Sequence, residues 1–201
     1  MALPLLWLGG AALGAAFIAD AKQKQKQLTL DRRLGRAPKA ADDKRVSPLS
    51  PSVLHLGEVK VAPKPGALVC CFVFGVIEHT GIWLGDDTLL ELHGSGLIRP
   101  VSSRRFLAGR TGSRIFVVCD HQHRPLIGES VLARAQQTLY QYRDYDLFDN
   151  NCHRFVWSCL TGEELSISSF DKFNRLLSRH FAQAIYWDEA AIPKLERSEL
   201  D

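Results

Sequence analysis

Apolar and polar positions divide the chain into three stretches. The first, Leu3 to Ala19 (LPLLWLGGAALGAAFIA), carries no charged residue and reaches the lower end of the length a helix needs to cross a bilayer, about 17 to 25 residues. From Lys22 to about Ser52 the chain is Lys, Gln, Arg, Asp and Pro with few large apolar residues, a composition that cannot offset its ordering entropy by burial. From Val53 onward apolar runs return at short intervals, and structured sequence is expected there.

In this third stretch, Ala67 to Ile77 (ALVCCFVFGVI) is rich in β-branched and aromatic residues and predicts a buried strand after the Pro63, Pro65, Gly66 turn. His79 to Leu84 and Leu89 to His93 predict a hairpin around Gly85-Asp86-Asp87-Thr88, and Arg114 to Cys119 a fourth strand. Gly128 to Tyr142 has helical spacing, with Ser130 as its candidate cap. Asn150 or Asn151 can cap a helix from Cys152 to Leu160 that Thr161-Gly162 ends. Phe170 to about Ile185 is amphipathic, with Phe173, Leu176, Leu177, His180, Phe181 and Ala184 on one stripe. The expected class is α+β, an antiparallel sheet packed against helices. Its expected divisions are an anchor at 1–21, a basic Pro-containing tether at 22–52, a catalytic domain at 53–188 and a polar tail at 189–201.

Charge gives the first stretch a direction. Lys22, Lys24, Lys26, Arg32, Arg33, Arg36 and Lys39 follow it, and such residues are retained on the cytoplasmic side, so the bulk of the protein is expected to face the cytoplasm. Ala19 and Ala21 would also suit signal-peptide cleavage, but the usual basic residue before the apolar run is missing. Gly10 and Gly14 form a GxxxG pair, which points to self-association through close helix approach. The net charge is only +3, without the basic stripe of a nucleic-acid binder.

The five cysteines are an odd number, and Cys70 and Cys71 are adjacent in an apolar run. Neither fact suits a disulfide framework, so a reducing compartment is favoured. Cys119, His121 and His123 alternate and would share one face of an extended strand, although a fourth zinc ligand is not evident.

Cys152 has a different setting, the first turn of a helix, where unpaired N–H groups and the dipole stabilise a thiolate. It is equally spaced with Phe155, Val156 and Cys159 as part of a core-facing stripe, and from spacing alone that is the stronger reading. A catalytic thiol also needs an imidazole and a third group to fix the imidazole's tautomer. His79 and His93 would lie opposite each other across a hairpin with an odd-numbered loop, whereas a two-residue loop would put them on opposite faces. His55, His153 and His180 carry no comparable argument and read as surface or helix-face residues.

The order HTGIWLGDD, then LLELH, then YDLFDNNCHRFVWSCLTG resembles the lecithin:retinol acyltransferase family, and KPGALV is similar to the turn that opens that family's first core strand. The resemblance covers roughly residues 60 to 165. It implies a circularly permuted papain-like fold, with Cys152 as nucleophile, His79 as base and His93 as the group that orients His79. Two departures, His153-Arg154 where the family has Glu-His and Ala67 in place of the turn's Asp, touch the cleft. The implied activity is acyl transfer or phospholipase-type hydrolysis through a Cys152 thioester, with phospholipid or another acyl-lipid as substrate and neither metal nor organic cofactor. A peptidase or amidase and a non-catalytic membrane module are the rival expectations.

Overall fold

The structure, a computed structural model, describes residues 23, 26–27, 30–34, 59–73, 77–110, 112–146 and 151–196. Among these, six strands form one antiparallel sheet in the order β4-β3-β2-β1-β5-β6. They are β1 Leu68–Val73, β2 Ile77–Gly85, β3 Thr88–Leu92, β4 Ile98–Ser102, β5 Phe116–Cys119 and β6 Tyr186–Glu189. Helices α1 Ser103–Leu107, α2 Val131–Gln137, α3 Cys152–Thr161, α4 Phe170–His180 and α5 Pro193–Glu196 complete the α+β domain.

Strand alternation sends successive side chains to opposite faces, and the sheet has a core on each. Leu68, Cys70 and Phe72 of β1 pack with Phe155, Val156 and Leu160 of α3 and Phe170, Phe173 and Leu177 of α4. Val69 and Cys71 pack on the other face with Phe106 of α1 and Ile192. Cys70 and Cys71 are therefore core residues of two different layers, and all five cysteines are free.

Several expected boundaries move. The apolar run from Ala67 to Ile77 is not one strand: Val73 pairs with Ile77, so its two ends belong to adjacent antiparallel strands. An apolar run carries no mark of its own reversal when both arms are buried. The helix expected over 128–142 is only Val131–Gln137; Ser130 sits at its cap position at φ 62° and makes no side-chain cap bond. By contrast, the Asn151 side chain accepts from the N–H groups of His153 and Arg154, and Gly162 ends α3 at φ 84°, a left-handed conformation that glycine adopts without strain. Helix α4 stops at His180, five residues short of Ile185.

The Lys22–Ser52 stretch is not wholly a free coil. Residues 30–33 are helical, and the buried Arg32 guanidinium makes 2.7 Å bonds to both carboxylate oxygens of Asp188. It also donates to the Asp120 carbonyl at 2.9 Å and lies 4.1 Å from the centre of the Tyr186 ring. Among the described residues no helix is long and apolar enough to cross a membrane. The Leu3–Ala19 segment, with Gly10 and Gly14, lies outside the described residues.

Candidate active site

Helix α3 begins at Cys152 because Asn151 takes two of its first-turn N–H groups, and the following residues Phe155, Val156, Cys159 and Leu160 pin it to the sheet core. The thiol is thereby carried into the interior, where Cys152 is buried. Burial would push the thiol up; the His153 and His79 rings, by charge and by hydrogen bonding, outweigh it and hold Cys152 well below the ordinary thiol range. The other cysteines show the contrast: burial pushes Cys71 and Cys159 up to about 12.

His79 is held between two partners. Its Nε2 lies 2.9 Å from Oε2 of Glu91, which leaves Nδ1 as the ring nitrogen that can meet the charge of Cys152, the group that most raises the ring's affinity for a proton. Burial lowers the affinity of His79 for a proton, but the Cys152 thiolate and the Glu91 carboxylate more than compensate, so its pKa is raised.

Glu91 is fully buried and carries two further partners. Arg99 donates from Nε and Nη2 to Oε1 at 3.0 and 2.9 Å, and Arg110 from Nη2 to Oε2 at 2.9 Å. Burial acts to raise this carboxyl, yet the His79 hydrogen bond and the charges of His79 and Arg110 hold it down at about 2. A buried carboxylate is tolerable only with such company.

The group hydrogen-bonded to the His79 ring is therefore Glu91, and not His93, which was expected to orient it. The β2–β3 turn has two residues, Asp86 and Asp87, both at positive φ, and a bulge between Trp83 and Gly85 adds one residue to β2. Beyond the bulge Ile82 pairs with Leu90, and that register carried on sets Gly81 across from Glu91 and His79 across from His93. Yet the His93 Nδ1 is 2.9 Å from the Ser95 hydroxyl, at the strand's partly exposed end. Gly81 has no side chain to stand between His79 and the diagonal Glu91, and a Cβ there would come within 2.8 Å of the Leu90 carbonyl.

A second imidazole also meets the Cys152 thiol. The His153 Nδ1 lies 3.9 Å from the Cys152 sulfur and 3.1 Å from the Thr80 hydroxyl. Its ring stacks on Phe173 at a centroid distance of 5.3 Å and an interplanar angle of 16°. The alternation Leu89, Glu91, His93 in LLELH was the available signal for Glu91, a carboxylate inside an otherwise apolar strand. For His153 the signal was its adjacency to the cysteine.

The Cys119, His121, His123 alternation does not form a ligand face. Strand β5 ends at Cys119, the chain turns at 120–123, and His123 Nδ1 lies 3.1 Å from Asp188 Oδ2.

Residues 101–165 match the family model for lecithin retinol acyltransferase. Over those residues the chain is similar to that family. The match takes in α3 with Cys152 and His153 and does not include β2 and β3, which carry His79 and Glu91. No curated protein matches the chain.

Proposed function

We propose that the chain is a thiol acyltransferase or phospholipase-type acyl hydrolase that passes through an acyl-thioester on Cys152. The observation that carries this reading is the buried series Cys152, His79, Glu91 at a helix start, in a chain whose family-level activity is acyl transfer or phospholipase-type hydrolysis. The Cys152 thiolate attacks the ester carbonyl of an acyl-lipid, forming the S–C bond. The Cys152 N–H, which the Asn151 cap does not use, faces the developing oxyanion. His79, protonated on Nδ1, delivers that proton to the departing alcohol as the C–O bond breaks, and Glu91 holds the ring in that tautomer. Water or a second acceptor then cleaves the thioester with His79 as base.

A circularly permuted papain-like arrangement accords with the order of the site along the chain, histidine before cysteine. In this reading Leu3–Ala19 anchors the protein in a membrane with the domain on the cytoplasmic side, and the Gly10/Gly14 face supports self-association. Phospholipid is the substrate and the bilayer its source.

The test is to incubate the full chain with phospholipid vesicles and, separately, with a peptide amide, using Cys152→Ala as the blank. An acyl adduct on Cys152 by intact mass, with lyso-lipid released, is expected. Turnover of the peptide alone would replace this reading with an amidase, and no adduct or product from either would leave a binding module.

A further inference from the structure

The mechanism above uses one imidazole, but the nucleophile has two. We propose that His153 is a second proton-holding partner of Cys152, able to keep the sulfur as a thiolate when His79 has given up its proton. The inference rests on the reading of Cys152 as nucleophile and assigns a role to the residue beside it.

The geometry is specific. His153 is buried, with Nδ1 shared between the Cys152 sulfur at 3.9 Å and the Thr80 hydroxyl at 3.1 Å. Phe173, stacked on the ring, and Phe170, at 5.7 Å between centroids, fix its plane. A helix-face histidine with only a packing role would not need its acceptor nitrogen aimed between a hydroxyl and a thiol. Transfer of the thiol proton to Nδ1 forms the N–H bond and leaves the S–H electron pair on sulfur. The Thr80 hydroxyl donates to Nδ1 in the neutral ring and turns to accept once Nδ1 carries the proton, so both states are satisfied.

Other groups facing this pair act in known directions. From β2, Glu78 is half-buried and raised by burial, an effect the His153 charge partly offsets. From β1, the thiols of Cys70 and Cys71 are raised and stay neutral. Before α3, burial and the Cys152 charge push Tyr145 up to about 12, so it too stays neutral. Helix α4 presents the Phe170 and Phe173 rings. His79 faces the thiol from β2, with Arg110 and Glu91 behind it. The sulfur thus has two imidazole partners on separate supports, His79 on Glu91 and His153 on Thr80.

Two imidazoles divide labour in acyl transfer. When His79 protonates the leaving group it becomes the base for the second half-reaction, and on return of free enzyme the thiolate must be regenerated before the next attack. His153 holds that thiolate independently of the proton position on His79.

The test separates thiolate formation from turnover. Iodoacetamide alkylation is followed against pH in wild type, His79→Gln, His153→Gln and the double variant, with the labelled cysteine mapped. We expect His79→Gln to lose acyl transfer yet keep alkylation at pH 6 within about threefold of wild type, whereas His153→Gln loses about tenfold and the double variant more, each unit of thiol pKa being tenfold in thiolate. If His79→Gln falls as far as the double variant and His153→Gln matches wild type, the proposal is overturned. A measurement on wild type guards against misfolding: the Nδ1 resonances of both His79 and His153 should change in histidine-ring nitrogen spectra when Cys152 is alkylated, and a change at His79 alone overturns the proposal. Label on a cysteine other than Cys152 would sink the nucleophile reading and this inference together. Label on Cys152 with a single imidazole partner sinks this inference only.

Discussion

His79 Nε2 and Glu91 Oε2 are 2.9 Å apart across β2 and β3, and the carboxylate is fully buried. This contact, rather than one to His93, fixes which ring nitrogen of His79 meets the thiol. Glu91→Gln should therefore lower kcat/KM by about 100- to 10,000-fold, as loss of the tautomer-fixing group does in a serine triad. His93→Ala should stay close to wild type, because its ring is spent on Ser95. Steady-state kinetics on both variants, with circular dichroism as the folding control, decides; the reverse ranking would restore His93 as the third member.

Cys152→Ala and His79→Ala are expected to abolish acyl transfer while leaving the domain folded, since each removes a reacting group. Cys70→Ala and Cys71→Ala are the controls. Both side chains are fully buried in the core layers, so each should cost about 1 kcal/mol of stability through the cavity left behind and keep activity at temperatures where it folds. An inactive but folded Cys71→Ala would contradict the assignment.

The parts of this fold legible in sequence were those governed by local rules. The Asn151 cap, the Gly162 stop and the place of Cys152 at the helix start depend on neighbours within one turn of chain. Strands β4 and β6 are not legible locally: β4 contains Pro100, and β6, YWDE, sets two apolar residues before two acidic ones with no alternation. Their strand state depends on pairing with β3 and β5. Glu91 is only weakly marked in sequence, because its burial becomes tolerable only once Arg99 and Arg110 arrive from later segments. Arg32 shows the same limit, since its partner Asp188 lies 156 positions away.

The site should show a bell-shaped pH dependence. The Cys152 pKa is depressed, so the thiolate is present above the folded value and is lost as pH falls through it. The His79 pKa is raised, so the proton needed by the leaving group is present below the folded value and is lost as pH rises through it. The active ion pair therefore spans the window from below the ordinary thiol range to above the ordinary imidazole value of 6.5. In His79→Gln the rise of alkylation with pH, which reports the thiolate alone, should persist while acyl transfer disappears. A wild-type acyl-transfer rate that climbs without limit through pH 9 would refute the paired-ion mechanism.

Arg32 and Asp188 form a buried bidentate pair at the β5–β6 end of the sheet, and it joins the basic segment to the domain. Breaking such a pair leaves an uncompensated buried charge, and Arg32→Ala should cost about 3 kcal/mol, the lower end of the usual range, because His123 still faces Asp188 at 3.1 Å. Replacing both partners, Arg32→Met with Asp188→Leu, should recover most of that loss, since no charge is then stranded. Thermal melts of the three variants test the energetics. Proteolysis tests the docking: cleavage between Lys26 and Arg33 should be slow in wild type and in the double apolar variant, and fast in Arg32→Ala. Equal cleavage of wild type and Arg32→Ala, with equal melting temperatures, would show that the segment is not held by this pair.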